Sequence, residues 1–246
     1  MKFLHTILNA FNTSDDAEDT HSSAMKKASI SLAIFAFISV FFVAMTDHLT
    51  ADRIAENQEK LLLRALNEIA PNDSYDNDLI ASKAILNQAG SGFIGDTPVY
   101  LATKSGKPAT AIFEVTTNKG YSGAITMLVG IDAIKKTVSG VRVVKHKETP
   151  GLGDKMEIPK TPPNKTPWVL DFDGKSLKNP ELSRWNVKKD NGDFDQFTGA
   201  TITPRAIVNI VKTTLLYAQD NMDALFSIGT EAQSISTNLT KDKETH

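Results

Sequence analysis

The sequence contains no cysteine, which excludes disulfides, thiolate metal sites, thiol nucleophiles and any cysteinyl link to a cofactor, and suits an oxidising compartment. Histidine is sparse and scattered: His5, His21, His48, His146 and His246 lack metal-ligand spacing, so no metal site is expected. Net charge is nearly absent, with 27 basic against 29 acidic residues giving −2. Without a basic field or a basic patch interleaved with aromatics, nucleic acid is not an expected partner. No internal repeat of fixed period appears, and no His–Asp pair brackets a nucleophilic Ser or Thr as a hydrolase would need. What remains, 41% hydrophobic and 23% charged over 246 residues, is the composition of an ordinary globular protein.

One stretch departs from that average. From Ala28 to Met45 the sequence reads ASISLAIFAFISVFFVAM, 18 residues without a charge. At about 1.5 Å per residue this gives roughly 27 Å of helix, enough to span a bilayer. A cleavable signal peptide has a shorter apolar core and a small-residue cleavage site after it. This run is longer and no clear A-x-A follows, so a retained anchor is expected. Lys26 and Lys27 precede the run, while Asp47 and Asp52 follow it. The positive-inside rule then puts residues 1–25 in the cytoplasm as a polar tail, residues 26–46 in the membrane and the main domain outside, which in a bacterium is the periplasm. The acidic DDAEDTHSSA of the tail reads as solvated.

Residues 47–97 read as a helical connection, with Ile54, Leu61, Leu62, Leu66 and Ile69 near helical period and a stop at Pro71, leading into the outer domain. From 98 to 222 the pattern predicts the domain core. VYLAT, ATAIFEVT, GAITMLVGID and VSGVRVVKH are strand-like runs separated by turn residues, as neighbouring antiparallel strands require. KETPGLGDK reads as a loop, PKTPPNKTP as a surface excursion, and RWNVKKD as a further strand-like piece. A helix from about Pro204 to Ala218 follows, and 223–246 is a C-terminal tail. The expected fold class is α+β: one transmembrane helix, then one extracytoplasmic domain with an antiparallel sheet and flanking helices.

The stretch DFDQFTGATITPRAIVNIV, from Asp193, crowds hydroxyls against a helix opening. Thr203 before Pro204 reads as an N-cap followed by proline at the first helical position. Thr198, Gly199, Ala200 and Thr201 then lie on the approach to a helix N-terminus, a natural seat for a phosphate, with Arg205 adding a positive charge. A plain Ser/Thr cap explains the same tetrapeptide.

The longer pattern adds information. Asp195-Gln196-Phe197-Thr198-Gly199-Ala200-Thr201 matches D-x-x-[ST]-G-A-[ST], at which a flavin transferase attaches FMN by a phosphoester to the last hydroxyl. Together with KGYSGAITMLVGID from Lys119, GVRVVKHKETPGLGDK from Gly140 and WNVKKDNGDFDQFTGATITPRAIVNIVK from Trp185, it makes the chain resemble the G subunits of Rnf/Rsx ion-translocating electron transport complexes, relatives of the C subunit of the sodium-pumping NADH:quinone reductase. The acidic tail, longer than the family pattern, and the inserted-looking PPNKTP depart from it. The resemblance implies covalent FMN on Thr201, with Asp195 either read by the transferase or holding the turn as an Asx residue. It implies that the loop from His146 approaches the flavin, Glu148 and Thr149 as polar contacts, Gly151 for close backbone approach and Leu152 as apolar cover; a plain structural turn is the alternative. Tyr121 either stacks near the ring or, by preference, fills core. The implied protein is a non-autonomous, electron-carrying subunit in the bacterial inner membrane, partnered by the other Rnf/Rsx subunits, passing electrons between ferredoxin and NAD-type carriers. The competing readings are a membrane-anchored FMN-binding redox sensor, a flavin-free scaffold, and the C subunit of the sodium pump.

Overall fold

The computed structural model describes residues 2–86 and 92–241, with side chains for residues 25, 29–86 and 92–227. The side chains of Lys26 and Lys27, residues 87–91 of the connection and residues 242–246 of the expected C-terminal tail lie outside the described part. The chain divides into two units, Met1–Glu59 and Lys60–His246.

The first unit is helical. Helix α1 runs Lys2–Ile69, so the acidic tail expected to be solvated coil is its first part. A helix already nucleated by the apolar run extends at little further cost, which explains the difference. The portion from Ser29 is long and apolar enough to cross a membrane. Its large side chains, among them Phe35, Phe37, Phe41 and Phe42, are exposed. Its hydroxyls stay on the helix: Ser39 Oγ donates to the Phe35 carbonyl at 2.8 Å and Thr46 Oγ1 to that of Phe42 at 2.7 Å, as a lipid-facing helix requires.

The second unit is α+β. Strands β1 (Lys83–Leu86), β2 (Thr97–Lys104), β3 (Lys107–Thr117), β4 (Ile125–Asp132) and β5 (Val138–Lys145) form one antiparallel meander in the order β1-β2-β3-β4-β5. The runs read as strands become β2 to β5, while the short KAIL of β1 carries too little pattern to be read. The β2–β3 turn places Ser105 (φ 52°) and Gly106 (φ 71°) in the left-handed region, the geometry of a tight two-residue hairpin. Helix α2, Ile202–Lys241, covers one face. There Ile207, Val211, Leu215 and Ala218 pack with Val99, Phe113, Val115, Met127 and Val129. On the other face the last turn of α1, through Leu66 and Ile69, packs with Leu79, Tyr100, Ile112 and Leu128. Covered on both faces, β4 loses the inside–outside alternation of a half-exposed strand. Helix α2 outruns its expected end at Ala218 because Met222, Leu225 and Phe226 prolong its buried face.

Between β5 and α2 the chain runs as 3-10 turns, and here the sequence expectation for RWNVKKD fails. It forms 3-10 turns at Leu182–Arg184 and Lys188–Asp190 and a single Val187–Phe194 bridge in place of a strand. The turn at Asn191 (φ 59°) and Gly192 folds it back on itself, so Trp185 and Val187 anchor in the core and pair with no sheet edge. PKTPPNKTP is an exposed excursion, as expected, ahead of the 3-10 turn Trp168–Phe172.

Candidate functional site

Trp168, Phe172, Trp185, Phe194 and Phe197 form a continuous aromatic cluster, with Phe172 and Phe194 stacked at 4.7 Å and Trp168 meeting Phe197 edge-on at 5.0 Å. This cluster is the floor under the hydroxyl-rich turn. Trp168 Nε1 donates to the Asp195 carbonyl at 2.9 Å, pinning the strand of chain that enters the turn. The turn closes with the Ala200 N–H donating to the Phe197 carbonyl at 3.0 Å, and Gly199 has φ 82°. A positive φ at the third position of a four-residue turn is the type II geometry, which glycine adopts without strain.

Helix α2 begins immediately beyond it. The Arg205 N–H donates to the Thr201 carbonyl at 3.2 Å, which makes Thr201 the cap residue, not Thr203. Pro204 is therefore the third helical residue, one of the first-turn positions whose N–H has no intrahelical acceptor. An N-cap hydroxyl is ordinarily held by the second or third amide of the helix. Pro204 has no amide hydrogen to offer, and among the described residues the Thr201 hydroxyl has no hydrogen-bond partner. The Ile202 and Thr203 amides likewise have no acceptor among the described residues. Thr203 is fully buried, and its hydroxyl donates to Glu148 Oε2 at 2.5 Å.

Glu148 is 5% exposed, and its other oxygen, Oε1, accepts the Ser122 N–H at 2.9 Å. One carboxylate thus joins the β3–β4 connection, the loop after β5 and the first turn of α2. His146 supports it from behind: Nδ1 accepts the Glu148 N–H at 3.0 Å while Nε2 faces Glu157, which fixes the imidazole proton on Nε2. The loop is tightened further by Thr149, whose carbonyl accepts the Leu152 and Gly153 amides at 3.1 and 3.2 Å, and by Asp154, whose Oδ1 accepts the Gly151 N–H at 2.7 Å.

These segments enclose a cleft of about 180 Å³, walled by Gly199, Ala200, Thr201 and Ile202 on one side and Glu148, Thr149, Leu152 and Gly153 on the other, with Tyr121 at the rim. Of the residues singled out in the sequence, Thr201, Gly199, Ala200, Glu148, Thr149 and Leu152 meet there. Thr198, Gly151 and Asp195 lie outside its wall. Asp195 pairs with Lys188 at 2.6 Å, an ion pair that raises the Lys188 ammonium above its ordinary value; burial and the neighbouring Asp195 raise the Asp171 carboxyl. Besides the cap, two expectations are overturned. Tyr121 is 70% exposed and fills no core: it stands on the turn between β3 and β4, which Gly123 closes at φ 114°. Arg205 faces away from the cleft and is held by Asp190, at 2.6 and 2.9 Å, so its charge is neutralised locally. Sequence reasoning missed Ser122, Ile202 and Gly153, and it read Thr203 as the cap and not as the partner of Glu148, a link hidden by their wide spacing. A larger cavity of about 640 Å³ lies along β5, lined by Arg142, His146, Met156 and Ile158, but it gathers none of the hydroxyl-rich turn.

A family model described as FMN-binding domain matches residues 120–216, which include every residue of this cleft, and one described as RnfG N-terminal region matches residues 20–69. The chain is 42% identical over 205 residues to the G subunit of the ion-translocating oxidoreductase complex of Vibrio atlanticus, covering 83% of this chain and 95% of that one. It is 44% identical over 210 residues to the protein of the same name from Pseudoalteromonas atlantica, covering 85% and 94%. The corresponding protein of Shewanella loihica is 42% identical over 206 residues, covering 83% and 94%. With that identity over nearly the full length of each relative, and with both family regions in order along it, this chain belongs to the family of G subunits of ion-translocating oxidoreductase complexes.

Proposed function

We propose that this chain is the membrane-anchored flavoprotein subunit of an ion-translocating oxidoreductase complex, with FMN joined through a phosphoester to Thr201. The observation that carries the attachment site is the contrast between two threonines. Thr203 is buried with its hydroxyl committed to Glu148, while the Thr201 hydroxyl, at the mouth of the cleft, and the two amides beside it have no partner among the described residues. Attachment forms an Oγ–P bond as the activated FMN donor loses its leaving group and the hydroxyl loses its proton to the transferase. The helix N-terminus then offsets charge on the phosphoryl oxygens through the Ile202 and Thr203 N–H groups. Gly199, at φ 82°, holds a turn that a residue with a Cβ would adopt only with strain, and leaves its own backbone bare toward the cleft.

FMN supplies the one- and two-electron chemistry, and the protein holds, tunes and places it. At about 180 Å³ the cleft is smaller than the roughly 300–1,000 Å³ of pockets that enclose a whole cofactor. A covalent tether prevents loss of a group held in so shallow a site. Thr149 offers a polar contact, Leu152 and Tyr121 apolar cover, and the Gly151 turn shapes the loop. Asp195, with its side chain 61% exposed, stands where a flavin transferase reads it, and Thr198 is exposed on the same turn. The charge-free stretch of α1 from Ser29 to Thr46 anchors the domain, and Lys26 and Lys27 against Asp47 and Asp52 favour a cytoplasmic N-terminus and a periplasmic flavin at the inner membrane. Partner subunits of the complex exchange electrons with it there.

Mass spectrometry of the full chain coexpressed with a flavin transferase tests this. A mass increment of one FMN residue on the Thr201 peptide is expected, and an unmodified wild-type peptide would overturn the assignment. Copurification with the other subunits of the complex tests the assembly.

A further inference from the structure

Both oxygens of Glu148 are already engaged inside the protein, Oε1 by the Ser122 amide and Oε2 by the Thr203 hydroxyl, so this side chain is held in place before any ligand arrives. It is nonetheless the one acidic or basic side chain in the cleft wall, and it is 5% exposed. Burying a carboxylate costs several kcal/mol unless it is fully hydrogen-bonded, so its retention at this place calls for a reason. The surroundings are shaped to it. A Cβ on Gly153 would stand 2.5 Å from Glu148 Oε2 and 3.1 Å from Thr203 Oγ1, and one on Gly120 would stand 2.8 Å from Glu148 Oε1. Glycine on both sides is what admits the carboxylate between two turns and the helix.

We propose that Glu148 is a positioning residue for the flavin: its carboxylate ties the three walls of the cleft together, and its fixed negative charge holds down the reduction potential of FMN attached at Thr201. This rests on Thr201 being the attachment site. Two consequences follow from the geometry. First, Thr203 is two residues beyond Thr201 in the first turn of α2, so the Glu148–Thr203 bond fixes the turn from which the free hydroxyl projects. Second, Glu148 is part of the cleft wall, so a flavin ring resting against that wall would lie beside its charge, where Coulomb terms are not screened as in bulk water. Reduction of a flavin by two electrons with one proton adds one negative charge to the ring, and so does one electron without a proton. A neighbouring anion opposes either change, and the flavin yields its electrons more readily.

The two roles separate with two kinds of variant, made in the full chain coexpressed with a flavin transferase. Glu148→Gln keeps the shape and can still accept from Ser122 and bond Thr203, but it removes the charge. Titration of its FMN-bearing fraction with dithionite and mediators is expected to give a midpoint potential more positive than wild type; an unchanged potential overturns the electrostatic role. Thr203→Val keeps volume and removes the donor to Glu148, and Glu148→Ala removes the tie altogether. Each is expected to lower the FMN content, read by mass spectrometry, several-fold while far-UV circular dichroism stays that of wild type. Wild-type FMN content in Thr203→Val overturns the positioning role, and that variant decides if Glu148→Ala fails to fold. Wild-type protein without FMN overturns the attachment site and this inference with it, whereas FMN-bearing wild type with unaltered variants overturns this inference alone.

Discussion

The sheet and the segment that follows it bury similar side chains but are fixed by different means. From β2 to β5 each strand is bonded to its neighbours along long ladders, bulged between β2 and β3 and between β4 and β5 and unbroken where Thr110 to Thr117 pair with Asp132 to Ile125, so position is set by backbone groups that every residue supplies. From His146 to Thr203 there is almost no ladder. Position depends on single side-chain atoms: Glu148 on Ser122 and Thr203, Trp168 Nε1 on Asp195, Trp185 Nε1 on Ser176, and Arg184 on Asp193. A sheet held by its backbone tolerates exchange of one apolar residue for another. A site held by side chains tolerates little, but it can present one hydroxyl free and bury its neighbour two residues away.

The largest expected effect breaks or upholds that last distinction. Thr201→Ala should abolish the FMN mass increment, while Thr201→Ser, which keeps a hydroxyl on the same Cβ, should retain it. Retention of FMN by Thr201→Ala, with the modified peptide now carrying it on Thr203, would show that the two hydroxyls are interchangeable and the contrast is false.

Next comes a methyl group added on one side of the comparison and removed on the other. Gly153→Ala drives a Cβ to 2.5 Å from Glu148 Oε2 and 2.8 Å from Glu148 Cβ, against a buried side chain bonded at both oxygens, and should cost about 1–3 kcal/mol in urea unfolding. Ile112→Val, fully buried in β3, deletes one methylene from a ladder-held strand and should cost only about 0.5–1.5 kcal/mol. Only the first should also lower FMN content. Trp168→Phe is a step smaller: the ring packing is largely kept, but the Asp195 carbonyl loses its donor, for about 0.5–1.5 kcal/mol.

The same division governs what can be read from the sequence. The meander from Thr97 to Lys145 is written in runs of β-branched and aromatic residues broken by turn residues, a pattern that local chemistry enforces. The apolar anchor and the pattern ending at Thr201 are equally local. Thr203 and Glu148 are separated by 54 intervening residues, and nothing in the spacing announces their bond. Tyr121 looks like core because it is aromatic; it is exposed on the turn between β3 and β4, and a lone aromatic in a connection carries no period that would tell the two apart. RWNVKKD carries strand residues, but the fold-back at Asn191 and Gly192 denies them a partner strand. Arg205 reads as an anion-site charge until Asp190, fifteen positions earlier, is seen to claim it.

That pair supplies the smallest effect and tests the comparison from its far side, since it holds α2 to the segment before it from the solvent face. Hydrogen bonding to Arg205 lowers the Asp190 carboxyl below its ordinary value of 3.8. A carboxyl whose folded-state value is depressed contributes stability that is complete above the unfolded value and is lost as pH falls through the folded one. Wild type should therefore exceed Asp190→Asn by a slight margin at neutral pH, the margin should persist down to about pH 4, and it should close as the pH drops further below 3.8. Thermal unfolding at a series of pH values reads this directly, and because the pair is exposed the margin should shrink in high salt. FMN content in Asp190→Asn should equal that of wild type, for Arg205 faces away from the cleft. A loss of FMN as large as that expected for Thr203→Val would mean that the solvent-side tie, and not the buried carboxylate, sets the turn that carries Thr201.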